Sequence, residues 1–149
     1  MDAVAEARNE IDALLAAHDS CWAQLELRAV ADFWDRAHPA PVYIGEEYAA
    51  PVIGWSELHR HWSRLAARVR SAQLRTSIVT LDLPGPELAV AVLLSQWRFG
   101  NVESDVVHDG ESWVTALLRH TPEGWRFFHY MEAPIFRGAD ASAIEQSVP

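Results

Sequence analysis

Lysine is absent: all 12 basic residues in the 149-residue chain are arginine, against 21 Asp and Glu, giving a formal net charge of −9. Without lysine there is no Schiff-base chemistry and no P-loop lysine. The acidic balance also argues against nucleic acid or an anionic membrane as partner, because a sequence-independent grip on either needs clustered positive charge. The single cysteine, Cys21, excludes an internal disulfide and a cysteine-cluster zinc site. The seven glycines never form Gly-x-Gly, so no dinucleotide or phosphate loop is present. Gly54-Trp55-Ser56 begins like a nucleophile elbow, but Leu58 stands where the second glycine belongs. No basic-then-apolar leader and no long apolar run occurs, so the expected location is cytoplasmic.

What is present is the composition of an ordinary globular domain, 50% apolar and unusually rich in tryptophan, with seven. The length suits one domain, taken as 1–136, with a small polar tail over 137–149. Apolar residues at Val4, Ala7, Ile11, Leu14, Leu15, His18, Cys21, Trp22 and Leu25 follow the spacing of one helix face over 3–25. A shorter helix is predicted over Glu26–Trp34, before Pro39 and Pro41 break the chain. Short extended pieces follow at Val42–Gly45 and Pro51–Ile53, around an acidic turn. A third helix is predicted over 57–71, capped by Ser56, with the stripe Leu58, His61, Trp62, Leu65 and Val69. From Gln73 the period becomes two. Leu74–Leu83, Leu88–Phe99, Ser112–His120 and Trp125–Glu132 read as strands, with an acidic loop over Gly100–Gly110. Helices followed by a run of antiparallel strands imply an α+β fold.

The order of elements, with several local pieces, resembles the nuclear transport factor 2-like superfamily, in particular its SnoaL-like branch. The pieces are the opening helix ending in Trp22, Ala31-Asp-Phe-Trp34 leading to Val42-Tyr-Ile-Gly45, and Gly54-Trp-Ser-Glu-Leu58. The closing hairpin also matches, Trp113-Val-Thr-Ala-Leu-Leu-Arg119 and Gly124-Trp-Arg-Phe-Phe-His129. The resemblance covers about residues 5–133. It implies a cone-shaped curved antiparallel sheet wrapped by three N-terminal helices, a pocket inside the cone, and dimerisation through the outer face of the sheet. Members include isomerases, dehydratases, cyclases and non-enzymatic association domains, so the fold does not fix the function. The branch often ends its last strand in His-x-His; here His129 is followed by Met131 in the second place.

The closing hairpin sets the expected pocket. A three-residue loop 122–124 would pair Thr121 with Trp125, and hence Leu117 with His129, Thr115 with Met131 and Trp113 with Ala133. One face then carries Trp113, Thr115, Leu117, Trp125, Phe127, His129 and Met131. The other carries Val114, Ala116, Leu118, Phe128, Tyr130 and Glu132. The Trp125 face is expected to turn inward, and the face with Phe128 and Tyr130 to form a homodimer. On this reading His129, His18, Tyr43 and His61 are the candidate catalytic groups. Trp22, Trp97, Trp113, Thr115 and Met131 are expected to hold the substrate. Each histidine could equally be a satisfied core residue, and Glu46, Glu47 and the acids of loop 100–110 read as solvated. No metal or cofactor is expected.

The leading functional expectation is a cofactor-independent lyase, isomerase or cyclase acting on a hydrophobic aromatic or polycyclic carbonyl compound by histidine acid–base catalysis. The alternative is a non-catalytic module that binds a hydrophobic ligand or associates as a dimer. An enzyme needs two polar groups converging on one point of the cavity, whereas a binder needs only one.

Overall fold

The computed structural model describes residues 2–135, and the tail expected over 137–149 lies outside the described residues. Helix α1 spans Ala3–Ala23, and its Asp2 cap accepts the Ala5 N–H at 2.7 Å. It buries Ala7, Ile11, Leu14, Leu15, His18 and Cys21, the stripe read from the sequence. Leu25, at φ 59°, turns the chain sharply, and Leu27–Phe33 follows as a 3₁₀ helix rather than an α-helix. Its ends close through i to i+3 bonds, Ala29 N–H to Glu26 O at 2.9 Å and Trp34 N–H to Ala31 O at 3.1 Å.

Strands β1 (Val42–Ile44) and β2 (Val52–Ile53) form a short antiparallel pair. Helix α2 spans Trp55–Arg68 and opens at Gly54 rather than at Ser56. Gly54 sits at φ 86°, where a side chain is strained, and its carbonyl accepts the Leu58 N–H. The helix stops at Arg68, before the expected 71, because β3 (Val69–Gly85) begins at once. Strands β4 (Leu88–Asn101), β5 (Val107–Thr121) and β6 (Gly124–Pro134) complete the sheet. Most of the expected loop 100–110 is strand: Gly100 pairs with Val107 and Phe99 with His108.

The six strands run in the order β2-β1-β6-β5-β4-β3, and the curved sheet does not close. The four long strands are antiparallel, whereas β1 adds to β6 in parallel, with Val42 opposite His129 and Tyr43 opposite Tyr130. The sheet is therefore mixed, and the fold is the expected α+β one. Helix α1 runs along the free edge of β3. Asp19 accepts the Thr76 N–H and the Thr76 hydroxyl, both at 2.8 Å, and Arg8 donates to Ile78 O at 3.1 Å. These contacts occupy backbone groups that would otherwise template another strand.

The closing hairpin differs from expectation in one residue, and that residue decides what the cone contains. Thr121 pairs with Gly124, His120 with Trp125 and Leu118 with Phe127. The register then shifts, and Leu117 pairs with His129. Phe128 is the extra residue of a β-bulge, which reverses the alternation of the strand. Trp125 and Phe127 face inward as expected. Beyond the bulge the inward residues are Tyr130 and Glu132, opposite Ala116 and Val114, while His129 and Met131 face out. Trp113 and Thr115 lie on the same outer face, with Trp113 43% and Met131 39% exposed. The expected dimer face fails at its second anchor, since Tyr130 is buried at 7% exposure. Phe128 is covered too, stacked on His38 at 5.0 Å with the Arg119 guanidinium 5.2 Å from its ring centre.

The core fills the space between the helices and the inner face. Ile11, Leu15, Leu27, Leu58, Leu93, Leu118 and Phe127 lose essentially all contact with solvent. Ala89, Ala91 and Ala116 are fully buried on the same face, and their small side chains let neighbouring elements approach the sheet closely. Toward β1 and the far ends of β4 and β5 the filling stops and a cavity begins.

Candidate functional site

The cavity has a volume of about 270 Å³. Helix α1 contributes His18 and Trp22, one turn apart, and α2 contributes His61, Trp62 and Leu65. Val30 and Trp34 close one end. Tyr43 on β1 and Glu46 after it line the side toward β1, and the exposed Glu47 and Tyr48 stand at its rim. The sheet floor is Ser95, Trp97 and Phe99 on β4, Ser112 on β5, and Tyr130 and Glu132 on β6.

Its polar groups form one connected set. The Tyr43 hydroxyl donates to Glu132 Oε1 at 2.5 Å, and the Glu46 backbone N–H bonds the same carboxyl. The Ser112 hydroxyl donates to Glu46 Oε2 at 3.0 Å and accepts the Trp97 indole N–H at 2.9 Å. Gly110 makes room for that indole, since a Cβ there would lie 2.5 Å from Trp97 Cζ2. Trp97 then stacks on Phe99 at 5.8 Å, and Phe99 meets the edge of Trp22 at the same separation.

Burial shapes the protonation of these groups. The Glu132 carboxyl is pushed above its ordinary range, first by desolvation and then by repulsion from Glu46 and Glu47, with the Tyr43 hydrogen bond opposing the shift. The Tyr43 phenol is raised well above its ordinary value by burial and by the Glu132 charge. His18 is lowered to about 4 by burial alone, and His61 to about 4 by burial with a contribution from Arg64. Both imidazoles are neutral at pH 7.

Their surroundings distinguish them. His18 Nε2 accepts the Trp22 indole N–H at 3.3 Å, which assigns the proton to Nδ1. That Nδ1 is sealed from solvent without a hydrogen bond, 4.0 Å from Asp19 Oδ1. His61 bonds no protein atom through its ring nitrogens among the described residues; its ring lies 5.0 Å from that of Tyr43 and 5.1 Å from that of Tyr48.

Of the residues singled out in the sequence, His18, His61, Tyr43, Trp22 and Trp97 line this cavity, and His129, Trp113, Thr115 and Met131 do not. Trp34 and Trp62 reach it as well. Sequence reasoning missed Glu132, Tyr130, Glu46 and Ser112. Glu132 is the one acid in the β6 segment, but its shared parity with Tyr130 put it on the face read as outward. Among the described residues, no group of three or more His, Cys, Asp or Glu is placed to hold a metal ion. No helix among them is long and apolar enough to cross a membrane.

No curated protein matches the chain in sequence. Solved structures share its fold at low identity. A candidate dehydratase of the NTF2-like family from Streptomyces avermitilis superposes with a TM-score of 0.73 at 14% identity, covering 87% of this chain and 97% of its own. A ketosteroid isomerase-like protein from Erwinia carotovora atroseptica gives 0.71 at 18% identity, with 87% and 97% covered. A candidate calcium/calmodulin dependent protein kinase II association domain from Xanthomonas campestris gives 0.68 at 13%, with 87% and 88% covered. Residues 11–136 match the family described as the SnoaL-like domain, most of the chain length, and the chain belongs to that family.

Proposed function

We propose that the cavity is an acid–base site for a hydrophobic carbonyl compound, catalysing an isomerisation or elimination without a cofactor. The observation that carries this reading is the Tyr43–Glu132 pair, two polar groups held 2.5 Å apart inside a largely aromatic cavity. A carboxylate that burial has made more basic takes a proton from the carbon beside the carbonyl. Tyr43 donates to that carboxylate and fixes its orientation. His61, neutral and with free ring nitrogens among the described residues, offers an N–H to the developing oxyanion. His18 serves as a wall and orients Trp22. This replaces histidine as the base with Glu132 and keeps the reaction class. The names of the dehydratase and isomerase-like neighbours agree with that class.

The test is exchange of the α-hydrogen of aryl ketones and β-hydroxy ketones with deuterium oxide, followed by proton NMR. Wild type should accelerate exchange, and Tyr43→Phe should lower the rate while leaving the fold intact. A protein that binds these compounds but accelerates exchange of none of them would support the binding-module reading instead.

The outer face of the sheet supports a second element of the reading, a homodimer. Val90, Val92 and Leu94 on β4 and Leu117 on β5 lie beside Trp113 and Met131, forming an apolar surface of a kind that rarely stays exposed on a monomer.

A further inference from the structure

The cavity has a sign. Glu46, Glu47 and Glu132 all line it, and no arginine does. None of the three forms an ion pair among the described residues. The partners of Glu46 and Glu132 are neutral donors: the Tyr43 and Ser112 hydroxyls and a backbone N–H. Arg64 and Arg68 on α2 are exposed and line no part of the cavity, although both act on the Tyr48 phenol and Arg64 acts on His61. Two half-buried carboxyls, Glu46 and Glu132, and the exposed Glu47 therefore line a mostly apolar cavity with no ion-paired countercharge among the described residues. The packed rings of Trp22, Trp97 and Phe99 supply an apolar wall for the body of a ligand. An anionic ligand meets repulsion from every acid in the site.

We propose that the compound this cavity takes is a lipophilic cation: a carbonyl compound that also carries a protonated amine. The inference rests on the reading of the cavity as a small-molecule site and narrows its substrate class. The acids are graded in depth, with Glu47 exposed at the rim and Glu46 and Glu132 half-buried. The ammonium belongs at the rim, beside Glu46 and Glu47, and the apolar body lies against Trp22, Trp97 and Phe99. Glu132, already holding Tyr43, is left to face the carbon beside the carbonyl. The ammonium also relieves the repulsion among the carboxyls, which favours the ionised Glu132 that proton abstraction needs. The cation is organic, because the described residues provide no metal-ligating group.

Three probes of one shape and different charge test this: 2-naphthylmethylamine, 2-naphthylmethanol and 2-naphthoate, titrated calorimetrically at pH 7 and low salt. The amine should bind about tenfold or more tightly than the alcohol, and the naphthoate more weakly than the alcohol. In Glu46→Gln/Glu47→Gln the preference for the amine should fall to about threefold or less, with the affinity for the alcohol retained. If the double variant fails to fold, Glu47→Gln alone, at an exposed position, should lower the preference measurably. Equal binding of amine and alcohol, or tightest binding of naphthoate, overturns the charge inference and leaves the acid–base reading standing. Binding of none of the three overturns the charge inference, and the acid–base reading is decided separately by the ketone exchange.

Discussion

His18 should make the protein sensitive to mild acid, and the size of the effect follows from its burial. In the unfolded chain its imidazole titrates at about 6.5, whereas in the folded protein burial holds it at about 4. The folded state therefore excludes a proton that the unfolded state binds, and stability is lost as the pH falls through 6.5, levelling off below 4. Between pH 7 and pH 5 the proton taken up by the unfolded chain is worth about 2 kcal/mol, and by pH 4 the full gap approaches about 3 kcal/mol. Glu132 and Asp19 act in the opposite direction, because burial raises both carboxyls and protonation then favours the folded form. A comparison within one background isolates the imidazole. His18→Leu keeps the apolar stripe of α1, and the indole N–H it releases belongs to the half-buried Trp22. Urea unfolding at pH 7 and pH 5 should show wild type losing about 2 kcal/mol more than the variant. Equal losses in the two proteins would refute the assignment of His18 as a neutral, proton-excluding core group.

Asp19→Ala strips the edge of β3 of the group that accepts both Thr76 donors; it should cost about 1–3 kcal/mol in urea unfolding, and a change near zero would show that water replaces the carboxylate without loss. On the outer face, Trp113→Glu should convert a dimer into a folded monomer in sedimentation experiments at micromolar concentration, since its half-exposed indole contributes little to the monomer core. A wild type that sediments as a monomer would remove the dimer from the account.

Much of the fold was legible because its local signals are strong. The i, i+3, i+4 stripe of α1 and the period-two run after Gln73 each appear in the structure close to where the spacing puts them. The start of α2 was misread because Ser56 is a good capping type, while Gly54 wins through its freedom to adopt φ 86°. The cavity was half legible. His18, Trp22 and His61 sit on helix faces whose direction the apolar stripe reveals. The β6 side was not legible, because both faces of β5 and β6 are apolar and hydrophobicity alone cannot choose between them. The bulge at Phe128 then exchanges the faces within a single strand, placing Glu132 inside and His129 outside. Alanine held the better clue: residues 89, 91 and 116 are small where the sheet is covered and large on the alternate positions.

The central claim is that chemistry in this cavity runs through Glu132 and not through the strand histidine. It is tested most directly by measuring α-hydrogen exchange in deuterium oxide for Glu132→Gln and His129→Ala side by side, on the ketone that wild type turns over fastest. Glu132→Gln should lose about 10²-fold or more of the rate, the worth of a general base, with its circular dichroism unchanged, and His129→Ala should exchange at the wild-type rate. Full exchange activity in Glu132→Gln, or its loss in His129→Ala with the fold and assembly intact, would contradict the account.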